Sequence, residues 1–370
     1  MTTVPRTDTG TLRDLLDAPG PFLSVYFDRD PRPERGEEAG ARWNALARRL
    51  ADEGAERATL NALSARVLDS LPGTGVLAAF ASDGDVRHVA ETPGARTGDR
   101  AETAPLPHLL PLLEWRQDRP AHVVAVVDRT GADLRLYQEG AVEPVHRSVD
   151  GPDDEIVKPA MGGMSQMRFQ HRAEDSWEHN AAAAADAVAA GLSEVSARLL
   201  LLAGDVRARQ YLEKHLPQWV RRDVTVGQVG GGRGEDRPAP ERETQRLTEA
   251  ARFGREQTTT LLRRLEDERG IRGHAVDGVR WTLGALAESR MGTLIVVNDP
   301  QDDRTAWFGP NGTEVGELRE DFQPGTGPVV RARLADVAVR SALLTGADVR
   351  VLPPGIAGAP AQGIGGICRF

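Results

Sequence analysis

Residues 21–27, Pro-Phe-Leu-Ser-Val-Tyr-Phe, alternate apolar and polar positions as a half-buried strand does, and the acidic, proline-rich run at 28–38 then breaks the chain. Over 41–71 the period changes. Trp43, Leu46, Leu50, Leu60, Leu63, Val67 and Leu71 recur at helical steps, with Gly54 a break between two segments. Strands at 75–81 and 85–89 flank Ser82-Asp83-Gly84, the composition of a hairpin turn. The proline-punctuated stretch 105–120 closes this first α/β region, assigned to residues 1–118.

A second region, 119–236, opens with the apolar run His122-Val-Val-Ala-Val-Val-Asp128 and continues as a strand meander through 134–137 and 141–146. After a glycine-rich segment, 172–191 contains the alanine run 181–185 and predicts helix, 197–203 predicts a buried strand ending at Gly204-Asp205, and a further helix carries Tyr211, Leu212 and Leu216. Glycines at 230–234 mark a boundary. The third region, 237–370, begins with a charged helix over 241–269, mostly a solvated face, followed by a helix over 276–287 and a strand over 291–298. Helix at 335–345 and strands at 347–352 and 363–370 complete an alternation that implies an α/β sandwich in each of the last two regions.

A length of 370 residues fits two or three such domains, each able to bury a core without staples. Cys368 is the single cysteine, and no Cys/His cluster has zinc-ligand spacing, so a reducing compartment and a fold without metal or cofactor are expected. The polar N-terminus and the lack of a long apolar run point to a cytoplasmic protein with no membrane partner. A net charge of −9 argues against nonspecific coating of DNA or RNA, since neutralisation of phosphates by Lys and Arg drives such binding. RNA contact, if made, is local.

The segment 159–172, Pro-Ala-Met-Gly-Gly-Met-Ser-Gln-Met-Arg-Phe-Gln-His-Arg, has adjacent glycines, three methionines and no acidic residue. Gly162-Gly163 lets the backbone take positive φ and approach another molecule closely, while Lys158, Arg168 and Arg172 concentrate positive charge in an acidic chain. An RNA-facing tip fits. By composition alone an ordinary surface loop leading into a solvated helix fits as well. Ser165 and His171 as nucleophile and base lack a third orienting group and a strand-turn-helix elbow, and the glycines at 230–234 and 363–366 lack the Lys-Ser/Thr pair of a phosphate loop. The basic stretch with Arg198, Arg207, Arg209, Lys214, Arg221 and Arg222 suits rRNA or a solvated face equally.

The string Gly162-Gly-Met-Ser-Gln-Met-Arg-Phe169 resembles the Gly-Gly-Gln-Ser-x-x-Arg-Phe motif of the archaeal and eukaryotic peptide release factors and Pelota. The flanks are similar too. The meander 121–146 and Leu200-Leu-Leu-Ala-Gly-Asp205 resemble that family's central domain, and Gly278-Val-Arg-Trp-Thr-Leu-Gly-Ala-Leu286, Gly292-Thr-Leu-Ile-Val-Val297 and Gly363-Ile-Gly-Gly-Ile-Cys-Arg-Phe370 resemble its C-terminal domain. About two-thirds of the chain is covered. The resemblance implies an α/β, three-domain release-factor/Pelota-like architecture: a divergent N-terminal α/β domain, a central mixed-sheet domain bearing the tip, and a C-terminal α/β sandwich similar to kink-turn-binding ribosomal proteins.

It implies function as well. The family's catalytic glutamine positions water against the peptidyl-tRNA ester, but that position is Met164 here, and loss of a donor at a developing oxyanion typically costs about 10²- to 10³-fold in rate. Ser165, Arg168 and Phe169 match the motif. Gln166 is the candidate catalytic residue if hydrolysis persists. The family's Asn-Ile-Lys-Ser and Tyr-Cys decoding strings are absent upstream of Arg119, so stop-codon reading is unsupported. What is left is similar to the bacterial branch of the superfamily, bacterial archaeo-eukaryotic release factor family 2 and the ribosome-hibernation factor Balon included. The expectation is a tRNA mimic that occupies the ribosomal A site, with elongation factor Tu a possible carrier. Its tip, Gly162, Gly163, Met164, Ser165, Gln166, Arg168, Phe169 and Arg172, would be directed at rRNA of the peptidyl-transferase centre, with Lys158, His171, Arg207 and Arg209 as further RNA contacts. The alternatives are a peptide release or rescue hydrolase and a general RNA-binding stress protein.

Overall fold

The first stretch of chain forms α1 (Thr9–Asp17), β1 (Phe22–Arg29), α2 (Gly36–Asp52), α3 (Arg57–Asp69), β2 (Gly75–Ser82), β3 (Asp85–Thr92), β4 (Arg100–Ala104) and α4 (Leu110–Gln117) in a computed structural model of the protein. The structure describes all residues except 1–8, 31, 33–35, 95–97, 151–164, 234–239, 271–272, 324 and 326, and omits the side chains of 9–11, 165–177 and 179. An antiparallel sheet of order β3-β2-β1-β4 organises this stretch. Asp83 and Gly84 both take positive φ in the β2–β3 turn, the conformation that matches the twist of a tight hairpin, and the Gly84 amide donates to Thr59 Oγ1 at 2.7 Å.

The middle of the chain supplies β5 (His122–Val127), β6 (Gly131–Tyr137), β7 (Val145–Asp150), α5 (Ser165–Glu194), β8 (Leu199–Gly204), α6 (Val206–His215), α7 (Gln218–Asp223), β9 (Thr225–Gln228) and α8 (Pro240–Asp267). The rest is β10 (Ala275–Asp277), α9 (Val279–Ala287), β11 (Met291–Val297), β12 (Thr305–Phe308), β13 (Val315–Gly316), β14 (Val330–Arg333), α10 (Leu334–Leu344), β15 (Asp348–Leu352) and β16 (Ile364–Cys368). None of the described helices is long and apolar enough to cross a membrane.

Two compact units result, Arg116–Glu256 and the pairing of Asp8–Trp115 with Gln257–Phe370, and the division falls within α8. In the first, a mixed sheet of order β7-β6-β5-β8-β9 is antiparallel on one side and parallel across β5, β8 and β9. Strand alternation sends Val123, Ala125 and Val127 towards α5 and α6, and Val124 and Val126 towards Ala250 and Phe253 of α8. In the second, the C-terminal sheet has the order β10-β16-β11-β15 and a smaller sheet the order β13-β12-β14.

The chain's two ends share a core. Leu23, Val25, Phe27, Leu77, Ala79 and Ala81 face α2 and α3, whereas the alternate residues Phe22, Tyr26, Val76, Ala78 and Phe80 join one cluster with Leu283 and Leu286 of α9, Leu294 and Val296 of β11 and Val337 and Ala338 of α10. This corrects the expectation of a half-buried β1, because a second layer of C-terminal residues covers the face that isolated alternation assigns to water. Other boundaries change too. The third strand of the meander is 145–150 rather than 141–146, since 139–144 is used to turn the chain. The helix expected over 172–191 starts at Ser165. Residues 275–277 pair as β10 with β16, and Gly278, at φ +85°, separates them from α9, so the helix expected from 276 starts at 279. The small sheet over 305–333, α1, β4, α4, α7 and β9 had no sequence expectation.

Leu286→Ala should cost about 2–5 kcal/mol, because the residue is fully buried in the shared cluster. Hydrogen exchange should then show lowered protection in β1 and β2 as well as around α9. Loss confined to the C-terminal elements would contradict a common core.

Candidate functional site

The segment bearing the glycine pair leaves β7 and enters α5. Lys158, Gly162, Gly163 and Met164 lie outside the described residues, while Ser165, Gln166, Arg168, Phe169, His171 and Arg172 fall in the opening turns of α5, of which the backbone alone is described. Glycines disfavour helix, and α5 begins at Ser165, two positions after Gly163. At 3.6 residues per turn, positions 165, 168, 169 and 172 share one stripe and position 166 lies off it. The first four amides of any helix lack intrahelical acceptors, so this end of α5 offers N–H donors and the positive end of the helix dipole.

The other half of α5 is its root. Asn180, Ala181, Ala184, Ala185, Val188 and Leu192 are buried, and the small side chains let the helix lie close to the sheet, where a Cβ at Gly191 would meet Leu136 at 3.4 Å. Asn180 Nδ2 donates to the Arg129 carbonyl at 3.2 Å, fixing the helix to the β5–β6 turn.

The strand before the segment is held by charge. Arg233 Nη1 contacts Asp128 Oδ1 at 3.1 Å and donates to Thr130 Oγ1 at 2.6 Å, Nε reaches Asp133 Oδ1 at 3.3 Å, and Nη2 pairs with Asp150, the last residue of β7. One guanidinium thus gathers three carboxylates. Burial opposes charge on Arg233, but its bonds to Asp150 and Asp128 outweigh this and raise its pKa further. Burial likewise pushes Asp128 up, and bonds from Thr130 and Arg233 bring it below its usual value.

The same end of the sheet leads from β8 into α6, which carries Arg207 and Arg209. Gly204 has φ +98°, and an added Cβ would lie 2.0 Å from the Val127 carbonyl oxygen, so the turn out of β8 requires glycine. Asp205 then caps α6, accepting from the amides of Arg207 at 2.9 Å and Ala208 at 3.0 Å. Arg207 is exposed, whereas Arg209 Nη1 donates to Gln228 Oε1 at 2.9 Å.

Sequence reasoning missed two polar centres, because each joins residues far apart in the chain. In the first compact unit, the buried His122 ring stacks on Tyr137 at 4.6 Å and 7°, and Arg246 lies over the Tyr137 ring at 4.0 Å. Arg246 Nη1 donates to His122 Nε2 at 2.7 Å, so the proton sits on Nδ1, which donates to the Pro120 carbonyl at 2.7 Å. Burial first, and the Arg246 charge second, push the His122 pKa down to about 4. In the second unit, Arg333 Nη1 stands 3.1 Å from Glu102 Oε1, 2.8 Å from His108 Nδ1 and 3.4 Å from Asp336 Oδ2, beside a cavity of about 340 Å³. Glu102, His108 and Asp336 form a possible metal-ligand set, and the guanidinium already supplies the positive charge among them. Burial pushes Glu102 up, but its bond with Arg333 dominates with the nearby positive groups and lowers it.

Two outcomes follow from these geometries. His122 titrates near 6.5 when unfolded and about 4 when folded, so the unfolded chain binds the extra proton as pH falls between those values. Stability should therefore be complete above about pH 6.5 and fall by about 3 kcal/mol on acidification to pH 4. His122→Gln, which keeps an acceptor for Arg246, should flatten that part of a melting-temperature profile, and an unchanged profile would contradict the buried neutral ring. Arg233→Ala should cost about 1–3 kcal/mol and expose β7 amides to exchange. Arg233→Lys should not restore them, because an ammonium cannot span three carboxylates as the planar fork does.

Known proteins resemble this chain at several levels. Residues 121–271 match the family described as Bacterial archaeo-eukaryotic release factor family 2. An uncharacterized protein of Mycobacterium tuberculosis, found in strains CDC 1551 and H37Rv, is 30% identical over 376 aligned positions that cover 97% of this chain and 96% of the relative. Among solved structures, the archaeal translation termination factor aRF1 aligns over 99% of both chains at 15% identity with a TM-score of 0.27. Archaeal Pelota, from a model of the ribosome-bound protein with ABCE1, aligns over 98% of this chain and 93% of its own at 13% identity with a TM-score of 0.37. Saccharomyces cerevisiae Dom34 aligns over 82% and 75% at 9% identity, also with a TM-score of 0.37. Those structural scores are low, and membership rests on the matches in sequence: the chain belongs to bacterial archaeo-eukaryotic release factor family 2.

Proposed function

We propose that the protein is a ribosome-binding translation factor that occupies the A site with its Gly162-Gly163-Met164 end directed at the peptidyl-transferase centre, and that it acts sterically, as a Balon-like hibernation factor protecting idle ribosomes. The observation that carries this reading is α5. A helix of 30 residues, about 45 Å long, begins at Ser165, two positions after Gly163, and is rooted by its far half in the core of its unit. Such a helix suits presentation of a short motif at a distance from the protein's body. Its opening amides and the positions of Arg168 and Arg172 suit RNA phosphate. Gly162 and Gly163 permit close approach of backbone to rRNA, Lys158 and His171 are further candidate contacts on the same segment, and Arg207 and Arg209 on α6 extend the proposed surface.

Chemistry favours occupancy over hydrolysis. Met164 offers a thioether where an amide donor is needed, and Gln166 lies within the first turn of α5, so moving it to the catalytic position requires that turn to unwind. Delivery by elongation factor Tu belongs to the same proposal, as does a cytoplasmic location.

Purified protein should co-sediment with 70S ribosomes from stationary-phase cells and protect A-site rRNA from chemical probes. It should release no peptide from ribosome-bound peptidyl-tRNA, and Gln166→Ala should leave sedimentation unchanged. Release abolished by Gln166→Ala would replace this reading with a rescue hydrolase. Binding to free RNA with a steep salt dependence and none to ribosomes would replace it with a general RNA-binding protein.

A further inference from the structure

The small sheet of the second unit has an outer face that no core uses. Its inner face is buried: Ala306 and Ala332, paired across β12 and β14, belong to the shared core, and Phe308 packs against it. Alternation therefore turns Thr305 and Trp307 of β12, with Arg331 and Arg333 of β14, to the other side, where Trp307 is opposite Arg331 and Thr305 opposite Arg333. Trp307 is half-buried. Arg319, arriving from the turn after β13, places its guanidinium 5.8 Å from the Trp307 ring centre. Arg331 is exposed and is oriented by a hydrogen bond from Nε to Thr305 Oγ1 at 2.6 Å.

The arginines of this unit differ in their pairing. In the same unit Arg269, Arg290 and Arg304 are each tied to a neighbouring carboxylate, and Arg333 is held by Glu102. Among the described residues, neither Arg319 nor Arg331 has an ion-pair partner. Asp321, on the β13 side, has its carboxylate engaged by the Leu318 amide at 2.9 Å. Two guanidiniums without an ion pair among the described residues therefore flank an indole on a sheet of a protein with net charge −9.

We propose that this face is an RNA-binding platform, on which Trp307 stacks against an unpaired base while Arg319 and Arg331 contact the adjoining phosphates. Aromatic rings on a sheet with basic neighbours suit single-stranded or looped RNA, because every base has a face to stack and the backbone is evenly charged. A mainly apolar protein partner would leave the guanidiniums without counter-charge. The platform gives the ribosome-binding reading a second contact, and rests on it only for the source of the RNA.

The full chain should bind a fluorescent, unstructured ten-nucleotide RNA of mixed sequence. Trp307→Leu should weaken that binding by on the order of 10-fold or more, with Trp307→Phe restoring much of it. Arg319→Gln combined with Arg331→Gln should reduce the slope of log affinity against log salt by roughly 1.4, for two phosphates on a single strand. Melting temperatures of all variants should match the parent, since none of these side chains is in the core. Equal binding by the parent and Trp307→Leu would overturn the inference, as would no RNA binding by the parent or preference for an acidic peptide. Ribosome sedimentation separates the two readings. Sedimentation without effect of these substitutions on RNA defeats the platform alone, whereas substitution-sensitive RNA binding without sedimentation defeats the A-site reading alone.

Discussion

Packing of an alanine stripe against a mixed sheet governs the end of the molecule that carries the glycine pair. Ala181, Ala184 and Ala185, with Val188 and Leu192, place α5 against Leu134 and Leu136 of β6 and Val123 and Ala125 of β5. Alanine gives up little area per residue, but it costs no side-chain entropy on ordering and allows close approach, so the contact is stiff for its size. The geometry of the opening turns of α5 depends on that stiffness. A looser root would multiply small rotations into displacements of several ångströms at the far end of the helix.

Charge completes what packing begins. Arg233 ties the last residue of β7 to the β5–β6 turn, and Asn180 ties α5 to the same turn, so the strand entering the segment and the helix leaving it share one anchor. The His122–Tyr137–Arg246 stack contributes at the other end of β5 and β6, where it buries a cation against an aromatic ring and a neutral imidazole. Desolvation of Arg246 is offset there by Glu243, whose carboxylate pairs with it at 2.9 Å through Nε. Both centres use side chains the sequence presents as ordinary surface charge.

That is where legibility ended. Short-range patterns were readable: the hairpin at Asp83-Gly84, the apolar run of β5, the paired helices on either side of Gly54, and β11 and β16. The family motif was readable because Ser165, Arg168 and Phe169 keep their spacing. What failed was information held between distant residues. The half-buried reading of β1 could not anticipate Leu283 and Leu286, more than two hundred positions on, covering its second face. Arg233 looked like part of a glycine-rich linker, and Arg246 like one charge among many on α8. The small sheet over 305–333 has strands of two to four residues, too short for periodicity to rise above its glycines and prolines. Trp307 was invisible as a surface residue for the same reason, since one tryptophan between turn signals reads as core.

The two ends of the chain build one core, and this has a consequence for biosynthesis. As the N-terminal stretch leaves the ribosome, Phe22, Tyr26 and Phe80 lack part of their cover, because their partners in α9, β11 and α10 are translated only after the middle stretch. The middle stretch depends on no such wait and can collapse on its own sheet while synthesis continues. A chain released early would thus display an intact central unit beside an uncovered aromatic sheet face, a ready target for chaperones and proteases. Quality control would act on this protein by length, with the arrival of α9, β11 and α10 as the event that conceals the exposed face.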